Sequence, residues 1–267
     1  MQHPKAKKSL GQHFLRRRDI CERIVGLLRI TEGDRVIEIG PGPGALTDVL
    51  QECPLQRLIL LEKDNYWAGE RQKHARPFTQ AVLTDALTID WTRVTAERPW
   101  KIIGNLPYNV ASPLMWDIFS RCTGLTRAVF MVQKEVGDRL AAQPDCKDYG
   151  ALTVWTKSFV TPIKGFVVGP GAFSPPPKVD SAVLAFEPLP PERRPAQPEQ
   201  LARLIKICFQ QRRKQLGSIF RQHGLQGVSE QLPTLGIDAR VRPENLTPEQ
   251  FQQITALLPA AGDTRTD

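Results

Sequence analysis

The sequence predicts an α/β fold, a mostly parallel sheet flanked by helices, followed by a smaller helical domain. Two observations carry that prediction. Short apolar runs at 35–39, 58–61, 100–103 and 128–133 alternate with segments of helical character, the pattern of strands joined by helical crossovers. Past a proline-rich stretch the pattern changes, and Leu201, Leu204, Ile205, Cys208 and Phe209 recur at helical spacing. The 267 residues suffice for one α/β domain and a smaller companion. We place these at 1–187 and 200–267, with 188–199 as the linker.

The elements follow in order. Arg35 to Ile39 is a buried strand that runs straight into Gly40-Pro41-Gly42-Pro43-Gly44, and Ala45 to Leu50 begins a helix. Leu58 to Leu61 is a second strand ending in Glu62, with a helix from Trp67 to His74. Ala81 and Val82 lead to Thr84-Asp85-Ala86, and Trp100 to Ile103 leads to Asn105 and a helix over Ala111 to Phe119. Ala128 to Gln133 is a fifth strand followed by helix to Ala142. Ala151 to Phe159 and Val179 to Phe186 are read as the strands that complete the β-rich end, with an antiparallel pair at the edge. Pro188, Pro190, Pro191, Pro195 and Pro198 interrupt every element between them, as a linker requires. Leu216, Ile219 and Phe220 continue the helical pattern, and Thr247 with Pro248 reads as an N-cap and first helical position. The tail after Pro259 is small and polar.

The formal charge of +8 is clustered. Lys5, Lys7 and Lys8 lie at the start, Arg16, Arg17 and Arg18 follow Leu15, and Arg212, Arg213 and Lys214 form a late block, with Arg139 on a helix between them. Such clusters suit the phosphates of a polyanion. The five cysteines are odd in number and without a CxxC pair, and the four histidines do not cluster, which argues against a disulfide framework and against a metal site. The start has no apolar signal region and no stretch approaches membrane-span length, so the expected location is the cytoplasm.

Four strand ends carry the chemistry. Glycines at 40, 42 and 44 permit close backbone approach to a cofactor. The turn departs from a dinucleotide fingerprint in its prolines, and no Lys-Ser or Lys-Thr follows Gly44 to make a phosphate-binding loop. Glu62 sits where a ribose would present its hydroxyls, and Asp85 can accept from an adenine amine beside Ala86 and Leu87. Each acid alone is as readily a helix cap; together with the glycines they point to an adenosine-bearing cofactor. At the fourth strand end, Asn105-Leu106-Pro107-Tyr108 places an amide, a proline and an aromatic ring together. Asn105 can accept from an exocyclic amine, Pro107 stiffens the turn, and Tyr108 offers a face to an unstacked base.

Gly11-Gln12-His13-Phe14-Leu15, Glu38-Ile39-Gly40-Pro41-Gly42, Asn105-Leu106-Pro107-Tyr108, Met131-Val132-Gln133-Lys134-Glu135 and Phe173-Ser174-Pro175-Pro176-Pro177-Lys178-Val179-Asp180-Ser181 closely resemble the KsgA (RsmA) ribosomal RNA adenine dimethyltransferases. The likeness runs from Gly11 to the Asn245-Leu246 loop, and the long proline string is its most specific part. The resemblance implies a Rossmann-like S-adenosylmethionine-dependent methyltransferase core with a small C-terminal helical domain that binds rRNA. It implies S-adenosyl-L-methionine contacts at His13, Leu15, Gly40, Glu62, Asp85 and Asn105, with histidine at 13 where asparagine is common. It implies catalytic roles for Asn105, Leu106, Pro107 and Tyr108, with Phe173 as a second aromatic wall. Its expected substrate is two adjacent adenosines in the 3′-terminal hairpin of 16S rRNA in the 30S particle, each methylated twice at N6. Backbone contacts would come from the lysines at 5, 7 and 8, the arginines at 16–18, Arg139 and the block at 212–214. A monomer is expected, with no metal and no membrane. The alternatives are the related large-subunit dimethylases, a non-catalytic assembly factor on the same scaffold, and a generic nicotinamide-dependent oxidoreductase. The triple-proline string disfavours the first, the intact Glu62, Asp85, Asn105 and Tyr108 the second, and the Asn-Leu-Pro-Tyr run the third.

Overall fold

Strands buried on both faces of a parallel sheet read as nearly continuous apolar runs, and the central strands here have that composition. The computed structural model describes residues 12–107 and 110–259. After a short strand β1 (Phe14–Leu15) and helix α1 (Arg18–Gly26) come β2 (Asp34–Ile39), α2 (Ala45–Leu50), β3 (Leu55–Glu62), α3 (Asn65–Lys73), β4 (Thr79–Leu83), β5 (Trp100–Asn105), α4 (Ala111–Arg121) and β6 (Leu125–Gln133). Further on are α5 (Lys134–Ala141), α6 (Ala151–Phe159), β7 (Val160–Val168), β8 (Phe173–Ser174) and β9 (Ser181–Pro188).

The sheet order is β4-β3-β2-β5-β6-β9-β7. Pairing is parallel from β4 through β6, and β9 joins β6 antiparallel, as expected for an added edge. The chain steps outward from β2 to β3 and β4, then returns to the other side of β2 with β5. That reversal leaves a crevice at the carboxyl ends of β2 and β5.

Both faces of the sheet are covered. Ile24, Val25 and Leu28 with Leu46, Val49 and Leu50 pack on Val36, Leu58, Leu60 and Ile103. Elsewhere Phe119 of α4 lies 4.9 Å from Phe186 and 6.2 Å from Phe130, ring centre to ring centre. Burial of each such side chain contributes roughly 1.5–3 kcal/mol. Arg127, itself buried, donates from Nε to the Leu27 carbonyl at 2.6 Å and pairs with Glu187, which fixes the start of β6.

The chain divides into two compact units. One runs to Gly137 and includes Thr161–Pro188; the other joins Asp138–Val160 to the chain from Leu189 onward. Residues 138–160, which a single division at 187/188 assigns to the first domain, therefore group with the second unit. Within them, 151–159 is the helix α6 and not the expected strand. Leu152, Trp155 and Phe159 fall at helical spacing, and the β-branched Thr153, Val154 and Thr156 are all buried, so packing overrides their strand preference. The strand is instead β7. The second unit also holds α7 (Pro198–Gln210), α8 (Leu216–Gln222), α9 (Gln226–Gln231) and α10 (Pro248–Thr255). Phe209 stacks on Phe251 at 5.8 Å, and the buried Tyr149 hydroxyl donates to the Leu246 carbonyl at 2.6 Å. Thr247 caps α10 as expected, its hydroxyl accepting from Gln250 N with Pro248 at the first turn. No helix among the described residues is long and apolar enough to cross a membrane.

Gly104 sits at a tight point between β2 and β5. A Cβ there would sit 2.8 Å from the Ile39 carbonyl oxygen of the neighbouring strand and 3.0 Å from Leu106 Cδ2. Gly104→Ala is expected to cost about 1–3 kcal/mol. Thermal unfolding should register this as a drop of roughly 2–4 °C per kcal/mol; an unchanged midpoint would show that β2 and β5 part without cost.

Candidate active site

The crevice at the chain reversal holds a cavity of about 170 Å3. Its walls come from the carboxyl ends of β2 (Ile39, Gly40), β3 (Leu61, Glu62), the segment after β4 (Thr84 to Leu87) and β5 (Asn105 to Pro107). Gln12, His13 and Phe14 close it from the amino-terminal side, and Val110 and Leu114 add apolar surface.

The turn after β2 is built on glycine for physical reasons. Gly40, Gly42 and Gly44 have φ of +66°, +50° and +101°, a region costly for other residues. A Cβ at Gly44 would stand 1.8 Å from Arg71 Nη1, and one at Gly42 would stand 3.1 Å from Phe14 Cε1. At Gly40 a Cβ would meet nothing within 4 Å, although this residue lines the cavity, so the backbone there forms a cradle kept clear. The space suits a ligand lying against the main chain, as the expected adenosine-bearing cofactor would.

Glu62 fixes that turn. One carboxylate oxygen accepts from Gly42 N at 2.9 Å and the other from Asp64 N at 2.8 Å. Burial raises the Glu62 pKa, and the two backbone donors oppose the rise. Each carboxylate oxygen keeps a second lone pair, which is what two ribose hydroxyls require. Asp85 accepts from Lys63 Nζ at 2.7 Å and from Leu87 N at 3.0 Å. The bond to Lys63 holds its carboxyl below the ordinary range. Ala86 and the exposed Leu87 put apolar surface beside it.

Asn105 is oriented by its amide nitrogen, which donates to the His13 carbonyl at 3.0 Å. A carbonyl accepts only from a donor, so the geometry leaves Asn105 Oδ1 for other partners, and it has none among the described residues. Leu106 N is committed to the Met131 carbonyl at 3.0 Å, and the Pro107 carbonyl accepts from Val110 N and Ala111 N, each at 3.1 Å. The Leu106 carbonyl receives no hydrogen bond among the described residues. Two acceptors thus remain next to each other in sequence at the cavity wall.

The amino-terminal segment is strapped down by the residues around β8. β1 pairs antiparallel with β8, Phe14 opposite Ser174 and Leu15 opposite Phe173. Arg16 N donates to Ala172 O at 2.9 Å, and His13 Nδ1 lies 2.9 Å from the Pro175 carbonyl. His13 thus makes a polar contact here, through the proline string.

The structure gathers His13, Gly40, Glu62, Asp85, Asn105, Leu106 and Pro107 around one cavity. It does not bring Leu15 or Phe173 to the wall: both are buried, at 6% and 5% exposure, in the core with α1 and α2. Their side chains support β1 from behind. Tyr108, Lys5, Lys7 and Lys8 lie outside the described residues. Among the basic groups, Arg17 is paired with Asp19, Arg18 with Glu22 and Glu52, and Arg212 with Glu244. Arg16, Arg213 and Lys214 are exposed and pair with no carboxylate among the described residues, and Arg139 is exposed on α5. Sequence reasoning missed Phe14, Lys63, Val110 and Leu114 on the wall. Phe14 and Lys63 directly adjoin His13 and Glu62, and chain adjacency was the available signal. Among the described residues no group of three or more His, Cys, Asp or Glu is placed to hold a metal ion.

Residues 3–259 match the family model described as ribosomal RNA adenine dimethylase. The chain is 56% identical over 251 residues to ribosomal RNA small subunit methyltransferase A of Nitratidesulfovibrio vulgaris strain Hildenborough, covering 93% of this chain and 94% of that one. A crystal structure of a dimethyladenosine transferase from Plasmodium falciparum is similar with TM-score 0.77 and 25% identity, over 91% of this chain and 96% of that one. The crystal structure of the 23S rRNA methyltransferase ErmE is similar with TM-score 0.68 and 25% identity, over 91% of this chain and 98% of that one.

Two outcomes follow from the acids. In Glu62→Gln the amide nitrogen must face one of two backbone N–H groups, so one donor loses its acceptor at a cost of about 1–3 kcal/mol. Titration calorimetry should show cofactor affinity down about tenfold or more, and unchanged affinity would remove Glu62 from the binding site. Beneath the same turn, the fully buried Glu38 accepts from the Thr47 hydroxyl at 2.7 Å, and burial pushes its carboxyl from 4.5 up to about 8. The folded chain therefore holds this proton more tightly than the unfolded chain, and stability falls as pH rises from about 5 toward 8. In urea unfolding, Glu38→Gln should gain on the parent protein across that window; a difference independent of pH would contradict the assignment.

Proposed function

This chain belongs to the ribosomal RNA adenine dimethylase family and is an S-adenosyl-L-methionine-dependent rRNA methyltransferase, and from that premise we propose its target and how its residues act. The substrate is 16S rRNA in the 30S particle. Two adjacent adenosines in the 3′-terminal hairpin are each methylated twice at N6. The observation that carries the reading is the fixed Asn105 amide, whose oxygen is left at the cavity wall beside the Leu106 carbonyl.

An adenine amine is a poor nucleophile because its lone pair is delocalised into the ring. Asn105 Oδ1 and the Leu106 carbonyl accept from its two N–H groups and hold the nitrogen so that the lone pair points out of the ring plane. This is catalysis by position and by dipoles arranged in advance. Gly40, Glu62 and Asp85 hold the cofactor: backbone against its body, carboxylate to the ribose, and carboxylate to the adenine amine. S-adenosyl-L-methionine supplies an electrophilic methyl group on a positively charged sulfur. The amine lone pair would form the bond to the methyl carbon as the carbon–sulfur bond breaks, that bond's electron pair staying on the departing neutral thioether, and the nitrogen would then lose a proton to water. A strong base is not needed, because nitrogen carrying a fourth substituent is acidic. Tyr108 stacks on the flipped base, while Phe173 and Leu15 hold β1, and with it His13, in place. After the first transfer one N–H remains, so one acceptor suffices, and the apolar Val110 and Leu114 tolerate the added methyl.

The helical unit and the exposed cations bind rRNA backbone. Arg16, Arg139, Arg213 and Lys214, together with Lys5, Lys7 and Lys8, are assigned to phosphates, whereas Arg17, Arg18 and Arg212 serve mainly their own ion pairs. The protein acts as a monomer.

The test is methyl transfer from labelled cofactor to unmethylated 30S particles, with 50S particles alongside and nuclease mapping of the product. Dimethyladenosine in the 3′ hairpin is the expected product. Asn105→Ala should lower the rate by about 10²–10³. Product on 50S particles would transfer the protein to the large-subunit branch, and full activity in the variant would discard the acceptor role.

A further inference from the structure

A second concavity of the sheet unit lies at the opposite end of the strands from the cavity, about 720 Å3 against about 170 Å3. It is formed where β2, β3, β5 and β6 begin, and its lining includes Arg35, Arg57, Arg98 and Lys101. We propose that this groove binds the phosphodiester backbone of a second segment of the rRNA substrate, remote from the base that is methylated.

The charges in the groove are not balanced by the chain itself. Lys101 is satisfied, its ammonium 2.6 Å from Asp34. The three guanidinium groups are not. Arg35 lies over the Trp100 ring with Cζ 4.0 Å from the centroid, and Arg57 donates to the neutral Gln80 amide oxygen at 2.5 Å. Arg98 is exposed on the loop before β5. None of the three pairs with a carboxylate among the described residues, although Glu97 also lines the groove. Burial disfavours the charge on Arg35, and the neighbouring Arg98 and Arg57 add to the effect. Three like-charged forks kept together gain from an anion that neutralises them, and planar guanidinium matches phosphate oxygens two at a time. The Arg35–Trp100 stack holds one fork in a fixed plane, which favours a recurring rigid ligand over diffuse counterions.

The identity of the polyanion rests on the rRNA reading given above. Strands of six to eight residues separate groove from cavity, roughly 20 Å at about 3.3 Å per residue. RNA touching both must pass along the side of the unit, as one segment of a large folded RNA does and an isolated target nucleotide does not.

Arg57→Gln with Arg98→Gln removes two forks and spares the Trp100 stack; Arg98→Glu is the second variant. Equilibrium binding to unmethylated 30S particles and to protein-free 16S rRNA, each over a range of salt, is compared with cofactor affinity and thermal midpoint. The expected result is about five- to tenfold weaker binding to both RNAs in the double variant. Its log K against log salt should be shallower by between about one and two, with cofactor affinity and midpoint unchanged. Arg98→Glu should weaken binding at least as much as loss of a single contact. Unchanged binding and slope would overturn the proposal. Loss on particles but not on free rRNA would overturn it too, because the groove would then meet a ribosomal protein. If the unaltered chain bound neither RNA, the substrate reading itself would fall, a result separable from failure of the groove alone.

Discussion

The strand order reversal beside β2 is the constraint on which the molecule depends. A parallel sheet covered on both faces satisfies its interior backbone groups within the ladder, and the next available polar groups lie just beyond the strand ends. Because β3 and β4 lie on one side of β2 and β5 and β6 on the other, the connections leaving β2 and β5 diverge. A gap opens between them. Glu62 and Asn105 end β3 and β5, and Gly40 and Asp85 follow β2 and β4 within two residues, so the register of the sheet sets where all four begin. Rigid scaffolding of this kind gives placement to within the tolerance that group transfer requires.

Local electrostatics then refines what topology supplies. Two buried acids bracket the glycine turn. Glu62 grips it through backbone donors, and Glu38 lies beneath it against Thr47. At neutral pH burial favours the proton-bearing form of Glu38, so the turn rests on a neutral carboxylic acid on one side and a hydrogen-bonded acid on the other. The surface differs. Part of the positive charge that the sequence gathers in clusters is engaged in short-range pairs such as Arg18 with Glu52, and exposed pairs of that kind add little to stability.

The fold was legible where composition and period agree. The central strands are apolar runs ending in glycine or an acid, and Thr247-Pro248 is a local capping signal that needs no tertiary help. Ala151–Phe159 was not legible, because Val154, Thr153 and Thr156 speak for a strand while the spacing of Leu152, Trp155 and Phe159 speaks for a helix. Burial around the helix decides the conflict, and burial is a property of the folded chain. The cavity wall was largely legible at the strand ends. Phe173 was not: an aromatic in a distinctive string reads as a binding surface, yet its ring turns inward and leaves the backbone of the string to hold the amino-terminal segment. Nor could the sequence say which arginines of a cluster keep their charge free, since Glu52 and Glu244 reach Arg18 and Arg212 across 34 and 32 residues.

The Asn105 amide has a consequence of a different sort. One end of it fastens His13, and the other end is thereby aimed. Detached from that carbonyl, the same side chain can rotate and present a donor where the proposed role asks for an acceptor, which repels an amine. The acceptor therefore exists as a defined object only after residues 13–15 have docked on residues 172–175. In the proposed role of Asn105, competence for chemistry depends on the same hydrogen bond that ties it to the docked amino-terminal segment, so an unfinished chain is silent instead of indiscriminate.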